Sequence, residues 1–483
     1  MIEYDQCMKT KEKCAMKKLH MGPAHCALDL GDGSERAEYV NQDYILHKMG
    51  RPHRAVNIMY TYYPHDKEWP ARISEAWKDK NVTFQWDYPY DDYFPYNVNG
   101  QPFEQMKDIR RHGQEVLLTL TLDCGCTDEE LKEIALQLKP FGRMWIRINH
   151  ECCGTWFQHN KRYTYPEVGA FFNRFAGIIK EYAPNVSVIF CGGWGMPDGH
   201  VEQEEAFKDC YKVADAWSCD GYLALHYGWP YDIAEVGGGR YKGGCVADMV
   251  QQFERTYKRA CELAGEHRPM ITAEFNTDGD VTGPRLQGES IVRFAHHWRD
   301  NKVEWFRAIS LYQFRDRGRL GLEIEDPNNK GVGIEQPMLA EYRDKVLHDE
   351  WFMPKMTEGE EASFPAQLRW GGSEDADGLA MEIEFEGNPE FCEMTVEQKI
   401  GLMVELNGRW FYKAPGTKTI DMMSAFFDKP LAGPCKMTMK ILAPPADGVN
   451  VDDGSADWTE NYRTVLEEAP KMRIRYELPG SVT

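Results

Sequence analysis

The sequence contains no uninterrupted apolar run near the roughly 18 residues that a membrane-spanning helix requires. Its first stretch, MIEYDQCMKTKEKCAMKKLH, also lacks the apolar core of a signal peptide. For the sequence as given, these two absences predict a cytoplasmic protein. If a signal peptide has been removed from the chain, a secreted or periplasmic protein is expected instead.

Positive charge is in deficit, because 56 Lys and Arg stand against 77 Asp and Glu and the formal net charge is −21. A surface of this sign repels phosphate backbones and anionic lipid. We therefore expect no nucleic-acid partner and no membrane partner. Aromatic side chains reach 12% of residues, which suits stacking against sugar rings. No sequence pattern indicates an oligomeric state.

The 14 cysteines include no paired CxxC motif of the kind that holds structural zinc. Scattered cysteines in a chain of 483 residues indicate reduced thiols. Four of them follow two successive predicted strands, first Cys124 and Cys126 and then Cys152 and Cys153. Two interpretations remain open for this cluster: small buried side chains, or a disulfide or metal site.

A Gly-rich phosphate loop directly after a strand is also absent, since VGGGRYKGG (236–244) follows no predicted strand directly. This absence disfavours a doubly wound open sheet, which is the main alternative α/β fold. Between residues 55 and 350, eight apolar, β-rich runs alternate with helical patterns, and eight such units predict a (β/α)8 TIM barrel. The predicted strands are 55–63, 82–88, 115–122, 144–150, 186–193, 220–228, 269–276 and 306–314.

The pattern changes after residue 354, where helical periodicity gives way to short strands between turns. Residues 354–483 therefore predict an antiparallel, sandwich-like accessory β domain. Residues 55–350 form the predicted catalytic barrel, and residues 1–54 are expected to be an irregular segment packed on it. Whether the accessory domain binds carbohydrate or only packs against the barrel stays open.

Two predicted strands, the fourth and the seventh, end in glutamates, Glu151 and Glu274. Barrel enzymes carry their active sites at the carboxyl ends of the strands, and these two strands lie across the mouth of a closed barrel. Paired carboxylates perform glycoside hydrolysis: one protonates the leaving oxygen, and the other attacks the anomeric carbon or activates water. A separation of roughly 5–5.5 Å would indicate retention through a covalent glycosyl-enzyme. Like charges at that distance raise the pKa of one carboxyl.

Alternation within the fourth strand separates a polar set of residues from an apolar set. The apolar set is expected to face the helices, and the polar set to face the barrel interior. A buried Arg147 requires anionic partners, so we expect it to keep a carboxylate ionised. A plain internal salt bridge is the alternative interpretation. The polar residues are Trp145, Arg147, Asn149 and Glu151, and the apolar residues are Met144, Ile146 and Ile148.

The segment RINHECCGTWF (147–157) resembles the acid/base segment of glycoside hydrolase family 26, the β-mannanase family of clan A, and ITAEF (271–275) is similar to the nucleophile strand of that clan. The resemblance implies a retaining (β/α)8 enzyme with Glu151 as acid/base and Glu274 as nucleophile. It also implies that Tyr227, after the sixth strand, hydrogen-bonds the nucleophile. The matching positions in the first segment are Arg147, His150, Glu151, Gly154, Trp156 and Phe157.

Further side chains near strand ends are candidates for binding sugar. Trp156 can stack on a sugar ring or pack within its own loop. The same two interpretations apply to Trp86 and Trp194. His150 can hydrogen-bond a ligand or a carboxylate, or be a satisfied structural histidine. The predicted substrate-binding residues are Arg147, His150, Trp156, Tyr227, His226, Trp86, Trp194 and Tyr312.

Three functions are compatible with these residues. The leading hypothesis is a retaining glycoside hydrolase that cleaves a β-linked oligo- or polysaccharide of the β-mannan or β-glucan type, without a cofactor or metal. The second is a non-catalytic carbohydrate-binding barrel protein. The third is a metal-dependent barrel hydrolase that uses His150, Glu151, His226 and the cysteines.

Overall fold

A computed structural model describes most of the chain. The described residues are 2–5, 16–32, 39–66, 68, 94–96, 101–155, 157–192, 201–223, 246–277, 279–316, 320–427, 431, 434–443 and 462–477.

The helices and strands of these residues follow one another in a barrel region that is flanked by β-rich segments. The helices are α1 (Gln42–Met49), α2 (Gln101–Arg111), α3 (Asp128–Leu138), α4 (Gln158–Arg162), α5 (Tyr165–Tyr182), α6 (Val201–Val213), α7 (Val246–Ala264), α8 (Gly279–Asp300) and α9 (Pro337–Tyr342). Short 3-10 turns cover Lys139–Phe141, Glu350–Phe352 and Met423–Phe426, and a π-helical turn covers Arg343–Leu347. The strands up to the end of the barrel region are β1 (Ile2–Asp5), β2 (Met16–Gly22), β3 (Ala27–Gly31), β4 (Ala55–Tyr62), β5 (Phe94–Pro95), β6 (Glu115–Leu122), β7 (Met144–Ile148), β8 (Val186–Cys191), β9 (Ala216–Ser218), β10 (Gly221–Leu223), β11 (Met270–Thr277), β12 (Phe306–Leu311), β13 (Arg315–Asp316), β14 (Glu323–Glu325) and β15 (Gly333–Glu335). The remaining strands are β16 (Lys355–Glu361), β17 (Ala366–Gly372), β18 (Asp375–Glu386), β19 (Asn388–Thr395), β20 (Leu402–Leu406), β21 (Arg409–Lys413), β22 (Thr419–Asp421), β23 (Pro434–Leu442), β24 (Tyr462–Leu466) and β25 (Lys471–Glu477).

Eight strand positions close into a parallel barrel. Around it lie β3, β4, β6, β7, β8, the broken strand β9–β10, β11 and β12, and β12 pairs with β3 to close the ring. β9 and β10 both pair with β11, so together they occupy the sixth position. The predicted (β/α)8 barrel is confirmed. Glu274 lies in its seventh strand, and Glu151 follows its fourth.

The first barrel strand lies earlier in the chain than the sequence pattern indicated. β3 pairs with β12 on one side and β4 on the other, so the expectation of an irregular segment over residues 1–54 is wrong there. The run ALDLG is short and carries Asp29, whose buried carboxylate pairs with Arg54, and this charge conceals the strand. β4 pairs directly with β6, which leaves no place between them for the predicted barrel strand 82–88. That expectation is also wrong, and residues 82–88 themselves lie outside the described residues.

Side chains of the barrel strands alternate between the interior and the surrounding helices. Met144, Ile146 and Ile148 of β7 join the outer core against the helices, whereas Trp145 packs on the inner cluster and Arg147 is buried among polar groups. The predicted alternation of the fourth strand is therefore confirmed. The inner cluster consists mostly of small residues, as a narrow barrel requires: Ala27, Ala55, Leu117, Ile189, Ala216, Ile271, Ala273 and Ala308.

Helix α5 covers the barrel beside its fourth and fifth strands. Thr164 and Glu167 cap its N-terminus reciprocally, so two backbone N–H groups that lack helical partners are satisfied. Each fully buried large apolar residue contributes roughly 1.5–3 kcal/mol through removal of its surface from water. This face packs in the main core of the barrel. Its buried apolar side chains at helical spacing include Val168, Phe171, Phe172, Phe175 and Ile179.

The second domain is an antiparallel β-sandwich, as predicted for the C-terminal region. Its larger sheet has the order β16-β2-β18-β23-β20-β21, with β17 on β18 and β24 on β17, and its smaller sheet has the order β1-β25-β19-β22. Strands β1 and β2 come from the N-terminal segment, so both ends of the chain build this domain. An apolar cluster that includes Leu46 of α1, Met21 of β2 and Trp370 of β17 joins the sandwich to the barrel. Of the described helices, none combines the length and apolar character that crossing a membrane requires.

Candidate active site

Two glutamates meet at the carboxyl end of the barrel. Glu274 lies in β11 and is 6% exposed, and Glu151 is half-buried just after β7. Carboxylate oxygens of Glu151, Glu274 and Asp220 all lie within 4.8 Å of one another. The sequence predicted the approach of Glu151 and Glu274 from strand order alone.

Two donors hold the carboxylate of Glu274. Arg147 Nη2 donates to Oε1, and the hydroxyl of Tyr222 donates to Oε2 over 2.7 Å. His150 Nε2 lies 3.6 Å from Oε1. Burial, together with the nearby charge of Arg147, lowers the pKa of His150 well below its usual value, so its imidazole is neutral. Glu274 therefore has a fixed orientation, set by one cation and one phenol.

Arg147 is the centre of a buried polar network. Its Nη1 donates to both oxygens of Asp220, at 2.9 and 2.8 Å, and its Nε donates to Thr119 Oγ1 over 2.9 Å. Thr119 Oγ1 in turn donates to Asn57 Oδ1 over 2.9 Å. Burial opposes the charge of Arg147, but Asp220 and Glu274 raise its pKa well above the usual value. The expected anionic partners of Arg147 are thus present.

Asp220 is an unusual carboxyl because it is fully enclosed. Burial raises its pKa to about 7, although Arg147 opposes that shift. The carboxyl of Asp220 consequently titrates near neutral pH, and its charge determines how completely the guanidinium of Arg147 is shared with Glu274.

The backbone at Glu151 has an uncommon conformation. Asn149 and Glu151 have φ angles of 42° and 51°, in the left-handed region that few non-glycine residues adopt. The side chain of Asn149 secures this turn, because its Oδ1 accepts from the Leu122 N–H (2.6 Å) and its Nδ2 donates to the Leu122 carbonyl (3.2 Å). Such conformations are concentrated at functional sites, where the surrounding structure maintains them. Here the turn directs Glu151 towards Glu274.

Aromatic side chains border the two glutamates. Tyr312, a predicted binding residue, packs edge-on against Tyr222 with ring centroids 5.8 Å apart, and both join Met59 and Phe157 in one cluster. Phe157 also lies 4.5 Å from His150, centroid to centroid. The predicted binding residues Trp86, Trp156, Trp194, His226 and Tyr227 lie outside the described residues, so their roles stay predictions.

The sequence pattern missed several members of the network. Tyr222, five residues before Tyr227, donates a hydrogen bond to Glu274, and the bond that the resemblance implies for Tyr227 stays a prediction. Asp220 and Tyr222 are two residues apart, the spacing that puts side chains on one face of a strand. That spacing was the available signal, but the break between β9 and β10 concealed where the strand ends. Thr119 and Asn57 were missed because each lies inside a mostly apolar strand rather than at its carboxyl end.

The cysteine cluster does not form a metal site in the described part of the chain. Cys124, Cys126, Cys152 and Cys153 form no disulfide bond in the described residues. The group of described side chains with metal-like spacing consists of Glu151, Asp220 and Glu274 and contains no cysteine. Arg147 already supplies positive charge to two of these three carboxylates. The interpretation of the cysteines as a ready-made metal site is therefore wrong for these residues.

The fold and site together define a class: a (β/α)8 barrel protein whose fourth and seventh strands bring two glutamates face to face. No family model matches the sequence, and no curated protein does.

Solved structures provide similar folds at low identity. A family 51 α-L-arabinofuranosidase from Bifidobacterium longum is 10% identical over 95% of this chain and 97% of that chain, with a TM-score of 0.42. A monomeric β-xylosidase from Caulobacter crescentus is 10% identical over 95% and 98%, with a TM-score of 0.44. A family 26 β-mannanase from Bacteroides ovatus is 9% identical over 68% and 89%, with a TM-score of 0.41. These identities and TM-scores are too low to indicate an activity. The proposed function therefore depends on the residues of this chain.

Proposed function

We propose that the protein is a retaining glycoside hydrolase. The observation that supports this most directly is the approach of Glu151 and Glu274, with carboxylate oxygens within 4.8 Å. Catalytic carboxyls roughly 5–5.5 Å apart belong to enzymes that attack the sugar directly, whereas a wider gap admits the water of an inverting enzyme. The short separation therefore favours a covalent glycosyl-enzyme.

Glu274 has the surroundings of the nucleophile. Arg147 and Tyr222 each donate to a different oxygen of Glu274, so the carboxylate is oriented while it attacks the anomeric carbon. When the glycosyl-enzyme is hydrolysed, Arg147 and Tyr222 donate again to the released carboxylate of Glu274 without rearranging. Preorganised donors of this kind lower the barrier because they require no reorientation during the reaction.

Glu151 has the position of the acid/base. It is half-buried at the barrel mouth and faces Glu274, so it can protonate the leaving oxygen and then deprotonate the incoming water. Phe157 and Tyr312 form an apolar wall beside the glutamates. The apolar face of a sugar ring packs well on such a wall while its hydroxyls find polar partners. The resemblance of segment 147–157 favours a β-linked glycan of the β-mannan or β-glucan type.

The first experiment tests activity and stereochemistry together. Purified protein is incubated with mannan, glucans, xylan and their aryl β-glycosides, and the first-formed product anomer is identified by NMR. We expect hydrolysis with initial release of the β anomer. An α anomer formed first contradicts retention. Binding without turnover would indicate a carbohydrate-binding barrel, and stoichiometric zinc with loss of activity on chelation would indicate a metal-dependent hydrolase.

The second experiment tests the two roles separately. Glu274→Ala should lower kcat by orders of magnitude, and added azide should restore turnover as an α-glycosyl azide, because it attacks from the face that Glu274 vacates. Glu151→Ala with azide should give the β-glycosyl azide, because azide then attacks the glycosyl-enzyme. Glu204→Ala, which removes a surface ion pair with Arg259, is the control and should keep full activity. Full activity in Glu274→Ala would rule out the assignment of the nucleophile.

A further inference from the structure

Cys191 lies where the supports of the two glutamates meet. It ends β8, and its side chain is fully buried, with 0% exposure. Its Sγ lies 3.3 Å from Asp220 Oδ2. Burial raises the pKa of this thiol well above its usual value, so the S–H is retained and donates to the carboxylate.

The opposite side of Cys191 contacts the turn that carries Glu151. The backbone N–H of Glu151 slightly lowers the pKa of the Cys191 thiol, against the larger effect of burial. The next residue, Cys152, reaches the carbonyl oxygen of Cys191 through its N–H at 3.5 Å and through its Sγ at 3.7 Å. These contacts brace a turn whose φ angle at Glu151, 51°, is sparsely populated by residues with a side chain.

Through Asp220, Cys191 also reaches the nucleophile. Both oxygens of Asp220 accept from Arg147 Nη1, and Nη2 of the same guanidinium donates to Glu274. The guanidinium is planar, so a rotation of the Asp220 carboxylate displaces the donor that orients Glu274. Cys191 thus contacts the turn of Glu151 through its carbonyl oxygen, and through its sulfur it contacts the carboxylate that secures the arginine of Glu274.

We propose that Cys191 is a positioning residue that sets the spacing and orientation of Glu151 relative to Glu274. This inference rests on the proposed glycosidase function and adds a residue that does not touch the sugar. A thiol suits the place because a sulfur contact is longer than the ~2.7 Å that a hydroxyl prefers. Cys210 shows the contrasting structural use: it is equally buried, but its Sγ donates to the Gly169 carbonyl between two helices outside the site.

The experiment compares kcat, KM and the melting temperature of the wild type with those of Cys191→Ala, Cys191→Ser and Cys210→Ala, on the best aryl glycoside. We expect Cys191→Ala to lower kcat about tenfold, as loss of one hydrogen bond to a charged group does, with KM within about twofold. Cys191→Ser should recover most of kcat because the hydroxyl can donate and accept. Cys210→Ala should keep the wild-type kcat even if its melting temperature falls.

The pH–rate profile supplies a readout that a merely structural role would not change. Asp220 is faced by Arg147 from β7, Glu274 from β11, Cys191 from β8 and the Glu151 turn. Cys191→Ala removes a donor to the charged form of Asp220, so the limb of the profile that Asp220 controls should move to higher pH. Cys210→Ala should leave both limbs in place.

Equal kcat and equal pH profiles in the wild type and Cys191→Ala would overturn the inference, as would a Cys191→Ser variant no better than Cys191→Ala. An equal loss of kcat in Cys210→Ala would also overturn it. If Cys191→Ala does not fold, Cys191→Val, which fills the space without a donor, replaces it in the same comparison. A wild type without turnover overturns the proposed function and this inference together, whereas an active wild type with an unaffected Cys191→Ala overturns the inference alone.

Discussion

Inside the barrel mouth, one arginine forms ion pairs with two carboxylates. Arg147 is fully buried between Asp220 and Glu274, and each loses much of its hydration there. Buried charges are costly unless they are paired and hydrogen-bonded, which explains why every nitrogen of the guanidinium has an acceptor. The network is therefore a unit, and removal of one member affects the orientation of the others.

Tyr222 offers a clean test of how Glu274 is oriented. Tyr222→Phe keeps the ring that packs on Tyr312 and removes only the hydroxyl that donates to Glu274 over 2.7 Å. We expect kcat to fall about 10- to 100-fold, the value of one hydrogen bond to a charged group, with little change in melting temperature. Steady-state kinetics and thermal unfolding measure both quantities.

The matched control for Tyr222→Phe is Tyr342→Phe. The Tyr342 hydroxyl bonds His53 Nε2 over 3.0 Å, and Tyr342 is more deeply buried than Tyr222 and lies away from the glutamates. This variant should lose stability by about 1 kcal/mol and keep its kcat. An unchanged kcat in Tyr222→Phe would show that the hydroxyl does not orient the nucleophile.

His159 makes the stability of the barrel dependent on pH. Burial lowers its pKa to about 3, so it is neutral when folded but gains a proton when unfolded below pH ~6.5. The unfolded state then binds more protons, and stability falls as pH falls, by about 2 kcal/mol at pH 5 from this group alone. His159→Phe should remove that contribution while it keeps the stack on Phe157. The unfolding free energies of both proteins at pH 7.5 and pH 5 test this, and an identical pH dependence would contradict it.

The residues that the sequence revealed and those that it concealed differ in their surroundings. Glu151 and Glu274 could be recognised because each ends a long apolar run. Asp220 could not, because its strand is broken at Cys219–Asp220 and no run precedes it. Its importance comes from Arg147, which is 73 residues away in the chain, and local periodicity carries no information about such a partner.

At the scale of secondary-structure elements, one glycine determines how closely two neighbouring helices of the outer layer can pack. Helices α5 and α6 come together at Gly169, where an added Cβ would lie 2.5 Å from the backbone oxygen of Ala206. The contact is backbone to backbone, so no side-chain rotation can relieve it. The glycine is therefore required by the crossing of the two helices rather than by its own conformation.

Two glycines of α5 provide a matched pair of variants. Gly169→Ala should destabilise the protein by about 1–3 kcal/mol, because the helices must separate. Gly177→Ala, in the same helix, has nothing within 4 Å of the new Cβ and should stabilise by about 0.5–1 kcal/mol through helix propensity. Urea unfolding of both variants measures the difference. The same sign of change in both would contradict the packing argument.

Elements were predictable where one periodicity continued over many residues. Helix α5 is one of the predicted helical patterns, and five large apolar residues at helical spacing mark its buried face. β3 was not found because five residues with a central aspartate do not form an apolar run. Counting 82–88 as a barrel strand compensated for that omission and preserved the total of eight, which is why the glutamates still fell on strands four and seven.

At the scale of the whole molecule, the first and the last described strands belong to the same domain. Strand β2 lies between β16 and β18 in the larger sheet of the sandwich, and β1 pairs with β25 in the smaller one. The change of pattern at residue 354 revealed the domain, but not its N-terminal strands. MKKLHMG is short and charged, and its partners are more than 300 residues away, so nothing local indicates the pairing.

This arrangement predicts that the C-terminal region does not fold by itself. A chain of residues 355–483 lacks β2, which leaves β16 without a partner and removes Met16 from the core of the sandwich. It should therefore be largely unfolded or aggregated.

Gly22 and Lys355 are directly opposite in the antiparallel pair, so a two-residue Asn-Gly turn can join residues 1–22 to 355–483 as a hairpin. The joined chain should unfold cooperatively, as followed by circular dichroism. A variant of it with Met16→Asp, which places a charge in the core of the sandwich, should lose that transition and serves as the control. Cooperative folding of 355–483 alone, with the same melting temperature as the joined chain, would show that the domain folds without its N-terminal strands.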